Sequence, residues 1–166
     1  MIIIPRVLNK LLHEVDESHA RTLALRFAEQ SLLGAQSILD PALAKVSLSY
    51  IAAARDFMKS GDIAGLQIAH DQYFKAREGV DDVSAAVSWV ACIAVMAACQ
   101  RNMEQAGIVV RESFIPSVFD VAHEAQKVAG RKDLKDPRGP QVARRARWEQ
   151  ARRQLVLLIE SAPFPE

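Results

Sequence analysis

From Ala85 to Cys99 the chain reads AAVSWVACIAVMAAC, fifteen residues without a charge and polar only at Ser88. A helix that is apolar all the way round has to be covered all the way round. The run is shorter than the ~20 residues that span a bilayer, and Asp81, Asp82 and Arg101 flank it closely. It therefore reads as the central post of an all-α protein. The expected architecture is a six- or seven-helix bundle around a buried, Ala-rich helix over about 83–106.

The 166 residues are enough for a single helical domain over 1–166 that buries a sizeable core without a disulfide or metal staple. Aromatics make up only 6%, so Ala, Leu, Val and Ile must fill that core, and the Ala content favours helix. Cys92 and Cys99 are seven residues apart, two helical turns or roughly 10 Å, whereas a disulfide needs Cα atoms within about 7 Å. They read as free, buried thiols, which fits a reducing compartment. The opening MIIIPRVLNK has no basic region ahead of its three isoleucines, unlike a secretion signal. A cytoplasmic protein with no membrane attachment is expected.

Breakers and caps divide the chain into helices. Pro5 opens a first helix with Val7, Leu8, Leu11, Leu12 and Val15 on one face. Ser18 caps a second, from about His19 to Leu39, with Leu23, Phe27 and Leu32 or Leu33 facing inward. Asp40-Pro41 starts a third that ends at Ser60-Gly61, and Asp62 caps a fourth that stops at Gly79. Asp81 or Asp82 caps the central helix, which Gly107 interrupts. A sixth spans Arg111 to Val128 and includes Phe114 and Pro116. Residues 130–140, GRKDLKDPRGP, form a mobile loop. Pro140 then opens a last helix with Trp148, Ala151, Leu155 and Leu158 as its inward stripe, and 161–166 is a tail.

No catalytic or metal-ligand signature stands out. Asp16/His19 and Asp120/His123 have the i,i+3 spacing by which helical bundles present metal ligands, but both pairs read more simply as caps and solvated polar faces. His123-Glu124 opens like a zinc-protease motif, yet Lys127 stands where the second His is needed. His70-Asp71 reads as a surface pair. No cofactor is expected.

The charge distribution is uneven. From Arg131 to Arg153 nine basic residues meet three acids, a net +6, so the rest of a chain of net +1 carries −5. Arg145, Glu149, Arg152 and Arg153 have the spacing for i,i+4 and i,i+3 ion pairs on the last helix. Arg131, Lys132, Lys135, Arg138, Arg144 and Arg145 are the candidate partner-binding residues. No aromatic side chains are interleaved with the loop cations to stack on bases, so a protein with an acidic face fits better than nucleic acid.

Four segments carry a family resemblance. LALRFAEQ (23–30), IAAARDFMKSGDI (51–63), the Ala-rich central helix and ARRARWEQARRQL (143–155) resemble, in that order, segments of the all-helical immunity proteins of bacterial polymorphic toxin systems. The chain departs from the pattern where Glu149 separates Trp148 from Gln150, and where MAACQR stands in place of a family histidine late in the central helix. The resemblance implies a binding protein without catalytic activity, which neutralises a cognate toxin by occluding it. The alternatives are a helical structural or regulatory module that forms homo-oligomers, and a metal-dependent enzyme using Asp16/His19 and Asp120/His123.

Overall fold

The computed structural model describes residues 3–110, 114–132 and 139–162. These form seven helices and no strand: α1 (Ile3–Leu12), α2 (Glu17–Gly34), α3 (Pro41–Ser60), α4 (Ile63–Ala76), α5 (Asp82–Gln105), α6 (Val118–Lys132) and α7 (Pro140–Ser161).

Local chemistry sets most helix ends. Asp16, Asp40, Asp62 and Asp81 each accept a hydrogen bond from the backbone N–H three residues on, meeting one of the donors that a helix N-terminus leaves free. α3 stops where Gly61 turns left-handed at φ 75° and its N–H returns to Phe57 O at 2.7 Å, a closure that glycine makes without a Cβ clash.

Several boundaries differ from the sequence reading: α1 starts at Ile3, ahead of Pro5, and ends at Leu12, before Val15, while α4 ends at Ala76, ahead of Gly79. α2 is capped by Asp16, with Ser18 already inside its first turn, and ends at Gly34 instead of near Leu39. α6 begins at Val118, after Pro116. Ser117 and Asp120 hold its start through reciprocal bonds, with the Ser117 N–H and hydroxyl both donating to the Asp120 carboxylate at 2.7 Å and the Asp120 N–H donating to the hydroxyl at 3.4 Å. Phe114 consequently lies outside the helix and is exposed. The linker expected over 130–140 starts later, because α6 runs on to Lys132, while α7 begins at Pro140 as expected.

α5 is the buried post. Every residue from Val90 to Met96 is buried, two full turns that use up every direction around the axis. α2, α3 and α6 pack on it, and α2 also reaches α3, α6 and α7. Outside this pair, α4 leans on α3 to one side, while α7 packs on α6 and α1 on α7 to the other. α4 and its C-cap residue Arg77 reach α5 through polar bonds: Tyr73 donates to Ser88 O at 2.9 Å and Arg77 to Ala85 O at 3.0 Å. With its 24 residues α5 is, among the described helices, the one long and apolar enough to cross a membrane by length and composition, and 67% of its most apolar window is buried inside the protein. The uncharged run alone understates its length.

Inward and outward faces are finer-grained than the apolar pattern suggests. On α1, Leu8 and Leu12 are buried while Val7 and Leu11 are exposed. On α2, Leu32 goes in and Leu33 out.

Candidate binding site

α7 is the helix on which the basic segment is ordered, and its inner face is unusual. The buried positions are Ala143, Gln150, Ala151, Gln154 and Leu158. Leu155 is half-buried, and Trp148, expected in the core, is 37% exposed. Two glutamines four residues apart take the inward direction instead. Gln154 donates to Ala122 O at 3.0 Å and accepts from Gln126 at 2.9 Å, which joins α7 to α6. Gln150 donates to Gln30 at 3.2 Å, which joins it to α2. Each inward amide finds a partner, as burial of a polar group demands. The glutamines fix the rotation of α7, and that rotation turns Trp148 outward.

With this rotation Arg144, Arg145, Arg147, Arg152 and Arg153 are all exposed. Among the described residues the ion pairs are Arg21–Glu17, Arg55–Glu29 and Lys127–Glu124. The pairs expected among Arg145, Glu149, Arg152 and Arg153 do not form. Arg144, Trp148 and Arg152 follow at four-residue steps, so they share one side of α7. Ile159, exposed by 60%, extends that side. Arg145 and Arg153 instead border a cleft of about 490 Å³ between the ends of α2 and α6 and the first turns of α7. Gln141, Glu149 and Ser31 also line it.

The other predicted cations are less gathered. Arg131 is exposed near the end of α6, and Lys132 is that helix's last residue. Lys135 and Arg138 lie outside the described residues, as does most of the segment expected to be a mobile loop.

Of the remaining titratable candidates, Asp71 and His123 are exposed, while the others have structural partners. Asp16 and Asp120 serve the helix starts described above, while the His19 ring lies 2.8 Å from Ser161 Oγ. Among the described residues no three His, Cys, Asp or Glu side chains gather as a metal site would require. His70 is not a surface residue: it is buried, with Nδ1 2.7 Å from the Tyr50 hydroxyl, because α4 lays it against α3. Tyr50 stacks on Tyr73 with ring centroids 5.0 Å apart. Burial pushes both hydroxyls well above their ordinary ionisation range. It also pushes the Cys99 thiol up to about 12, which suppresses the reactive thiolate.

The sequence reading missed the cleft and the buried glutamines. Gln150 and Gln154 do carry a signal, since they stand at i,i+4 in register with Ala143 and Leu158, but Trp148 and Leu155 outweigh them on hydrophobicity alone. Comparison with protein-family models, curated proteins and solved structures gives no match for this chain.

Proposed function

We propose that this chain is a stoichiometric binding protein of the immunity type, which neutralises a cognate bacterial toxin by covering it. The observation that carries this reading is the outer side of α7, where an exposed Trp148 sits between Arg144 and Arg152, and neither arginine forms an ion pair among the described residues. Trp and Arg are the residues most enriched at the energetic centres of protein interfaces. Their charge fits an acidic face on the partner, which would speed encounter and exclude neutral competitors. This side of the helix falls within ARRARWEQARRQL, one of the four segments that resemble the immunity proteins. A rigid scaffold that presents such a face binds with little reorganisation.

The test is co-expression with the product of a neighbouring toxin gene. Rescue of growth and a one-to-one complex are expected. Arg144→Ala/Trp148→Ala should weaken that complex by about 100-fold or more, and the loss should be largest at low salt. If neighbouring products are harmless and bind nothing, or if the double variant binds as well as wild type, the reading fails.

A second reading, homo-oligomerisation, is favoured by the exposed Val156 and Ile159 of α7 and Val7 and Leu11 of α1. Light scattering after size exclusion separates the two, because a strict monomer rules out self-association.

A further inference from the structure

The cleft beside α7 has features that toxin binding through the outer face does not use. Its volume, about 490 Å³, lies within the range of small-molecule sites. Ala35, Val128 and Ala146 supply apolar lining, and α7 supplies charge. Arg145, Glu149 and Arg153 follow at four-residue steps, so a positive, a negative and a positive group succeed one another along the wall at about 6 Å intervals. Residues at this spacing commonly pair with each other, yet here neither arginine closes on the carboxylate. Among the described residues, none of the three groups is held in an ion pair.

The second observation is Ser31. It lines the same cleft and is only 4% exposed, and among the described residues its hydroxyl has no hydrogen-bond partner. A buried hydroxyl without a partner is costly, so an atom that enters the cleft and bonds it relieves that cost. Neighbouring Gln150 is already committed to Gln30, and Gln141 contributes a further side chain at the rim.

We propose that this cleft binds a small acidic amino acid. Such a molecule carries two carboxylates with an ammonium group between them, the inverse of the arginine, glutamate and arginine order on the wall. Each guanidinium can take a carboxylate in a forked pair, Glu149 takes the ammonium, and Ser31 donates to a carboxylate oxygen. The net charge of +1 on the wall matches the −1 of the ligand. A doubly charged phosphate would meet Glu149 with no compensating cation. The site is independent of the toxin-binding reading, because Trp148, Arg144 and Arg152 do not line the cleft.

The experiment is calorimetry and amide chemical-shift mapping on the full chain with L-glutamate and L-aspartate, up to about 10 mM. Glutarate, which lacks the ammonium, and inorganic phosphate serve as comparisons. Saturable binding of an amino acid is expected, with shifts at Ser31, Ala129 and Ala146 and at least 10-fold weaker binding of glutarate. Arg145→Gln and Arg153→Gln should each weaken binding 10-fold or more without changing the melting temperature of the free protein. Ser31→Ala should weaken it several-fold while leaving the free protein as stable or more so. No saturable binding of either amino acid, equal binding of phosphate, or unchanged affinity in both arginine variants would overturn the proposal.

Discussion

Gln154 is fully buried and makes two hydrogen bonds on a helix whose other inward residues are Ala143, Gln150, Ala151 and Leu158. Removing the amide leaves a cavity, the Gln126 side chain without its acceptor, and the Ala122 carbonyl without this donor. Gln154→Ala should therefore cost about 2–4 kcal/mol. Trp148, although larger, is more than one-third exposed, and Trp148→Ala should cost no more than about 1 kcal/mol. Urea unfolding of the two variants checks the order. A greater loss from the tryptophan would mean that α7 is rotated differently in solution. Hydrophobicity favours the opposite assignment for these residues. It weighs a side chain by its transfer from water, whereas burial of an amide depends on whether α2 and α6 offer partners. Those partners are 28 and 120 residues away in sequence. The same distance effect hides Ser31, whose cleft exists only once three helix segments meet.

At the scale of elements, helix starts follow rules that act within four residues, so most were legible in the chain. Asp40-Pro41, Asp62 and Asp81 cap as their sequence contexts predict. Asp40 also joins elements, since its N–H donates to Ser84 Oγ at 2.9 Å at the start of α5. Asp40→Ala removes the side-chain bond to Leu43 N but keeps this main-chain one. The expected loss is the usual 0.5–2 kcal/mol of a cap, roughly, seen as a lower urea midpoint with an unchanged slope. A changed slope would show that the α3–α5 junction opens with the cap. The start of α6 was less legible. An apolar stripe can be drawn through Phe114 and Pro116, but the proline and the Ser117–Asp120 pair place the boundary after them.

For the molecule as a whole, the cluster between α3, α4 and α5 sets an alkaline limit. Cys99 ionises ordinarily near 9.0 but only near 12 in the folded protein, and Tyr50 and Tyr73 are displaced upward from 10.0. Below pH 9 both folded and unfolded chains hold these protons, and the three groups give no pH dependence. Above pH 9 the unfolded chain releases protons that the folded one retains, so unfolding gains. The slope is at most about 1.4 kcal/mol per pH unit for each group. Stability measured in urea should fall between pH 9 and 11, and Tyr50→Phe should remove part of that slope. A flat profile to pH 11 would show that the cluster admits water.

By itself the sequence determined the all-helical class, the central place of the Ala85–Cys99 run and most helix starts. Composition, periodicity and capping act over a few residues, and an uncharged run flanked by charges and shorter than a bilayer span is most stable inside the protein. The tertiary structure decided which side of each outer helix faces in. On α7 that choice belongs to glutamine partners on α2 and α6, and it turns Trp148 and the arginines outward. It also brings Ser31 to a cleft beside Arg145 and Arg153. Those outcomes depend on long-range packing, which no local pattern in the chain records.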